Sequence, residues 1–231
     1  MSRRSTDPLD APAIARRPDA AEARATPRTA DAERGPGPYD QAGFRARLEW
    51  GPAGIRALGP VVGLIVIVDV LSFSTTTCLA IEQGMRVDLP SPDVSSCAVD
   101  AAATGAMVVV GCLRNASAVG RLIAAHGGAS VVIAAGERWP DGSLRPAVED
   151  LIGAGAILAM VDRETLSPEA RAAADAFKGA RDTLDDAIRQ GASGRELMGR
   201  GLDSDVELAV ELDATDRVPV LVDGAFAGGM G

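Results

Sequence analysis

With 231 residues, 47% of them hydrophobic but only 3% aromatic, the chain can form one or two domains, and its core must be built from Ala, Val, Leu and Ile. A formal net charge of -9 excludes the basic face that a nucleic-acid partner requires, and it disfavours an anionic membrane surface. An anionic ligand would have to be met locally, by placed arginines, backbone amides or a metal.

Residues 1–40 carry Pro8, Pro12, Pro18, Pro27, Pro36 and Pro38 among alanines and balanced charges, with almost no large apolar side chains. Such a segment cannot offset its ordering entropy, and a disordered tail is expected there, followed by a single α/β domain over 41–231. Order is expected from Phe44. In FRARLEW, Phe44, Ala46, Leu48 and Trp50 alternate with Arg45, Arg47 and Glu49, the period of a half-buried strand. GPAGIRAL reads as a turn and a short helix.

Leu64 to Val70 is an apolar run broken only by Asp69, the pattern of a strand covered on both faces. Thr75 to Gln83 fits a helix, Arg86 to Leu89 a short strand, Val94 to Thr104 a helix and Ala106 to Gly111 a second buried strand. Asn115 can cap a helix running to Ala125, and Ser130 to Ala135 is the next strand. Pro146 suits the first turn of the helix that carries AVEDLIGAGAILAMV. Ser167-Pro168 starts another helix, and SGRE, Ser193 to Glu196, has the spacing of a capping box. VPVLVDGAF reads as a strand or hairpin. The alternation implies a layered, mostly parallel sheet with helices on both faces and a mostly helical C-terminal third.

Cys78, Cys97 and Cys112 lack Cys-x-x-Cys spacing, and with His126 as the one histidine they make no zinc set. They read as reduced, buried thiols of a cytoplasmic protein. The N-terminus has arginines but no apolar signal core, and no run is long enough to cross a bilayer.

Three strand-to-helix turns could carry chemistry, because ligands of parallel sheets sit at the carboxyl ends of the strands. In VIVDVLSFSTTT, Asp69 ends a strand, and Ser72, Ser74, Thr75 and Thr76 surround a helix N-terminus, which offers free N–H groups and a positive dipole end to an anion. An aspartate there can hold Mg²⁺ or attack phosphorus; Asp69 and Ser72 read equally well as caps of the helix. In AAGERWPDGSLRPAVEDL, Glu137, Glu149 and Asp150 can ligate a hard cation, while Arg138 and Arg145 can fork onto phosphate or sulfonate oxygens. Ordinary surface ion pairing is the alternative. In GCLRNASAV, Asn115 is either a cap or an amide aimed at a ligand oxygen. No G-x-G-x-x-G or Walker sequence is present, and Leu71 stands where a two-aspartate phosphatase would need an acid.

In this order, RARLEWGPAGIRAL, VIVDVLSFSTTT, GCLRNASAV, AAGERWPDGSLRPAVEDLIGAGA and SGRELMGRGLDSDVELAVELD with VPVLVDGAF resemble the 2-phosphosulfolactate phosphatase family, from Gln41 onward. The resemblance implies an α/β fold and Mg²⁺-dependent hydrolysis of a phosphate monoester, 2-phosphosulfolactate giving sulfolactate and phosphate. It implies Asp69 as metal ligand or nucleophile, and Glu137, with Glu149 or Asp150, completing the metal site or activating water. Ser74, Thr75, Asn115, Arg138 and Arg145 would hold the anionic groups. Relatives carry several dozen further residues where RVDLPSPDVSSCAVDAAATGA runs straight through here, and Asp93-Val94-Ser95 stands in place of their Asn-Gly-Ser/Thr turn. The chain therefore reads as a shortened member, and a non-catalytic anion-binding relative is the alternative. Its partner would be a small phosphate ester; self-association stays open.

Overall fold

The computed structural model describes residues 37–89 and 96–228. In chain order the elements are β1 (Ala46–Trp50), α1 (Gly51–Leu58), β2 (Leu64–Val68), α2 (Phe73–Glu82), β3 (Val87–Asp88), α3 (Cys97–Ala102), β4 (Met107–Gly111), α4 (Ala116–His126) and β5 (Ser130–Ala134). There follow β6 (Glu137–Arg138), β7 (Leu144–Arg145), α5 (Val148–Leu158), α6 (Pro168–Ala180), α7 (Leu184–Gln190), α8 (Ala192–Gly199), α9 (Asp203–Ala209), β8 (Pro219–Val222) and β9 (Ala225–Gly228). The helical final third and the α/β alternation agree with the sequence pattern.

One seven-stranded sheet runs in the order β1-β5-β2-β4-β8-β9-β3. The first four strands are parallel, with Val66 opposite Val109 on one side and Val132 on the other. The last three are added antiparallel: β8 to β4, β9 to β8 and β3 to β9. β8 and β9 form a hairpin over Asp223-Gly224, whose φ values of 50° and 77° suit the turn that matches strand twist.

Period-two alternation in β2 sends Leu64, Val66 and Val68 to one face and Ile65 and Ile67 to the other. The first set packs with Val109, Val132, Val119 of α4, Ile157 of α5 and Ala173 of α6. The second packs with Val110, Ile133, Ile55 of α1 and Ala101 of α3. Small residues replace aromatics as the means of close packing. A Cβ on Gly153 of α5 would come within 2.6 Å of the Val70 side chain, and one on Gly155 within 2.9 Å of Phe177 Cβ on α6.

Several local expectations differ from the structure. Residues 1–36 of the expected tail, and 94–95 of the expected third helix, lie outside the described residues. Residues 38–40 form a 3₁₀ turn, and Gln41 is buried with its amide on the carbonyl of Leu48, so structure precedes Phe44. β1 does not alternate: Arg47 is buried, because its guanidinium satisfies the carbonyls of Phe44 and Asp40. Pro146 lies before the N-cap Ala147, and Ser193 falls inside α8, whose N-cap is Gly191. Ser167 does cap α6, accepting from Ala170 N–H at 3.1 Å.

Candidate active site

The carboxyl ends of β1, β5 and β2 open into a cavity of about 450 Å³, within the range of small-molecule sites. Three helix starts border it: Gly51 to Ala53 of α1, Phe73 of α2, and Ser96 with Cys97 and Ala98 at α3. Helix starts carry free N–H groups and a positive dipole end, although at α2 the N–H groups of Phe73 and Ser74 are taken by Asp69. Gly51 makes the turn from β1 into α1 at φ +56°, and a Cβ there would sit 3.3 Å from the Ala135 carbonyl. Carboxylates and cations come from Asp69, Glu137, Arg56 and Arg138.

Asp69 follows the last residue of β2. Its backbone N–H donates to Ser74 Oγ at 2.9 Å, its carbonyl accepts from Ser74 N–H at 2.8 Å, and its Oδ1 accepts from Phe73 N–H at 3.2 Å. Asp69 therefore caps α2 and also lines the cavity. Burial, with the neighbouring charges of Glu137 and Glu149, pushes its carboxyl up to about 6, against the bond from Phe73. Glu137 leaves β5 on the short ribbon β6–β7. Burial and the charges of Glu149 and Glu196 raise its pKa, while Arg145 opposes the rise.

Asp150, on α5, is 3% exposed. Its Oδ1 accepts from Val70 N–H at 2.7 Å and its Oδ2 from Gly136 N–H at 2.8 Å. Both oxygens are committed to the backbone, so Asp150 stands as a clamp between two strand ends and does not line the cavity. Burial and the charge of Asp69 still push its carboxyl well up. Glu149 is 1% exposed, and its Oε2 has no hydrogen-bond partner, an orphaned buried acceptor behind Asp69 and Glu137.

The other expected ligand residues are held elsewhere. Ser74 is buried and donates to the Ile67 carbonyl at 3.2 Å, and Thr75 donates to the Val70 carbonyl at 2.8 Å. These hydroxyls lock the turn after β2, and neither residue lines the cavity. Asn115 is buried: its Oδ1 accepts from Cys112 N–H, and its Nδ2 donates to the carbonyls of Val110 and Arg217. The turn after β4 leads into α4 on the opposite face of the sheet, away from the cavity. Arg145 donates to Ser193 Oγ at 3.0 Å and lies over the Trp139 ring at 5.9 Å, so it anchors the ribbon to α8. Arg138 lines the cavity and donates to the Gly142 carbonyl at 3.0 Å.

The sequence reading missed Arg56 and the start of α1. The signal was present: Trp50-Gly51-Pro52 is a strand-to-helix turn like the other two. Cys97 also lines the cavity, its thiol pushed up to about 12 by burial and the charges of Asp69, Asp100 and Asp150. Cys78, Cys97 and Cys112 are all buried and unpaired.

Among the described residues no three His, Cys, Asp or Glu side chains form a ready metal cage. Mg²⁺ does not require one, since it is commonly held by one or two carboxylates with water and substrate oxygens. Raised carboxyl pKa values at Asp69 and Glu137, beside the unpartnered Glu149 oxygen, mark a place where a hard cation would relieve repulsion.

Residues 95–224 match the family model described as 2-phosphosulpholactate phosphatase. The chain belongs to this family. A "Probable 2-phosphosulfolactate phosphatase" of Thermotoga petrophila is 32% identical over 82 residues, 36% of this chain and 36% of that protein. The chain thus spans about a third of the length of the curated relative it matches. The family match takes in Glu137, Arg138, Glu149 and Asp150, whereas Arg56 and Asp69 precede it. Of RVDLPSPDVSSCAVDAAATGA, the stretch read as shortened, residues 90–95 with Asp93-Val94-Ser95 lie outside the described residues. No helix among the described residues is long and apolar enough to cross a membrane.

Proposed function

We propose that this protein is a Mg²⁺-dependent phosphatase of a small, multiply anionic phosphate ester, with 2-phosphosulfolactate as the substrate suggested by its family. The observation that carries the reading is the pairing of Asp69 with Glu137 in a cavity bordered by three helix starts and two arginines. A carboxylate pair can hold the cation, and N–H groups with guanidinium can hold the anion.

Asp69 and Glu137 would hold Mg²⁺, which when bound polarises the phosphoryl group and acidifies water. Arg138 and the N–H groups at the start of α1 would hold the phosphoryl oxygens. Glu137 would accept the proton of the water that attacks phosphorus as the P–O ester bond breaks, and would return that proton to the leaving alkoxide. The unpartnered Oε2 of the buried Glu149 would help retain the cation. Asp150 fixes the spacing of the two strand ends. The buried, unpaired cysteines suit the cytoplasm, the compartment we propose.

The test is phosphate release from 2-phosphosulfolactate by the full chain, with Mg²⁺ and with EDTA. Release that requires Mg²⁺ and disappears in Asp69→Ala supports the reading. A folded protein that binds sulfolactate but releases no phosphate would instead be a non-catalytic binder.

A further inference from the structure

We propose that Arg56 selects substrates bearing a second anionic group, and that Asp100 is the counter-ion which that group displaces. This rests on the phosphatase reading of the cavity. Among the described residues, Arg56 and Arg138 are the cationic side chains that line the space. Arg138 adjoins Glu137 in sequence and donates to a neutral carbonyl, that of Gly142, so its charge is available to the phosphoryl group beside the carboxylates. Arg56 stands on α1 and is engaged instead with a carboxylate: its Nη1 donates to Asp100 Oδ2 of α3 at 3.1 Å.

That pair sits at the rim in water, its side chains 66% and 27% exposed. Exposed pairs of this kind are weak and exchange readily. A sulfonate or carboxylate entering the cavity can take the guanidinium from Asp100 and offer it a planar, two-pronged contact. An ester with no second anion leaves Arg56 where it is. The free state thus holds the selecting arginine in a shallow ion pair, and the cost of breaking that pair is regained only by a substrate that carries an anionic group besides its phosphate. Asp100 also stands in the first turn of α3, where a carboxylate is favoured whether or not Arg56 is bound to it, so it remains ready to take the arginine back.

The experiment compares kcat/KM for 2-phosphosulfolactate and for p-nitrophenyl phosphate, which lacks a second anionic group, in the wild type, Arg56→Ala, Arg56→Lys and Asp100→Asn. Expected is a loss in Arg56→Ala that is about tenfold or more larger for 2-phosphosulfolactate than for p-nitrophenyl phosphate, carried by KM. Arg56→Lys should restore part of it, and Asp100→Asn should lower KM for 2-phosphosulfolactate. Equal losses on both substrates, or an Asp100→Asn variant with raised KM, would overturn the assignment. If the wild type hydrolyses neither compound, the phosphatase reading fails separately. The thermal shift given by sulfolactate then decides: its loss in Arg56→Ala supports anion selection, and an unchanged shift overturns it.

Discussion

Replacing Asp150 by alanine should loosen the site and destabilise the fold together. Its carboxylate joins Val70 N–H at 2.7 Å to Gly136 N–H at 2.8 Å. Val70 follows Asp69 and Gly136 precedes Glu137, so one side chain sets the separation of the two cavity carboxylates. The last direct bond between these strand ends is Ala135 N–H to the Val68 carbonyl at 2.8 Å, one residue before Gly136 and two before Val70. Leaving the buried Val70 N–H unpaired costs about 1–3 kcal/mol, and the half-buried Gly136 N–H, which water can reach, adds less, for about 2–5 kcal/mol together. Removal of an acid whose ionisation burial opposes returns some of this, and a net loss of about 2–4 kcal/mol is expected. Asp150→Asn keeps one acceptor and turns a donor towards the other N–H, for a loss of about 1–3 kcal/mol. Urea denaturation reads the stability, and phosphate release measured well below the transition reads the site. With the carboxylates free to drift, kcat/KM in the folded alanine variant should fall about a hundredfold. An unchanged urea midpoint would refute the clamp. A lowered midpoint with undiminished kcat/KM would show that the clamp does not position the catalytic pair.

Asp69→Asn should be more stable than the wild type at neutral pH in EDTA. The folded protein holds the Asp69 proton up to about 6 against an ordinary 3.8, so stability from this group is intact near pH 4 and is lost as pH rises towards 6, by up to about 3 kcal/mol. Urea midpoints at the two pH values should therefore converge in the variant. Asn115→Ala should lose about 2–4 kcal/mol of stability by stranding Cys112 N–H and two carbonyls, while KM for any phosphate ester the folded protein hydrolyses stays within about twofold. Gly155→Ala should lower the melting temperature, since crowding of Ala173 and Phe177 on α6 outweighs the gain of about 1 kcal/mol in helix propensity, for a net cost of about 2 kcal/mol.

The buried strands were legible because β2 and β5 are covered on both sides and show it as unbroken Val and Ile. Asp69 and Glu137 were legible for the complementary reason, as charges placed where such runs end. What the chain could not reveal was the spatial order of the strands. The turn after β4 has the same Asn and Ser composition as a ligand loop, yet its helix packs on the far face and its asparagine closes backbone groups there. Ser74 and Thr75 illustrate a second limit: a hydroxyl beside a strand end can bond a ligand or its own turn, and only the backbone path decides. Arg56 went unnoticed because a lone arginine on a short helix resembles any surface charge until that helix is seen to start at the cavity.

The sheet's far side is put together out of chain order. β3 at residues 87–88 finds its ladder partner in β9, and β4 at 107–111 meets β8, so both wait for residues 219–228. During synthesis the parallel half can settle early, because β1, β2, β4 and β5 have all emerged by residue 134. β4 then presents a bare apolar edge for as long as the next 85 or so residues take to appear, a ready template for pairing with another nascent chain. The C-terminal hairpin is therefore the piece whose arrival ends that exposure, and a ribosome stalled before it would release a molecule with Asp69 and Glu137 already placed and its sheet still open.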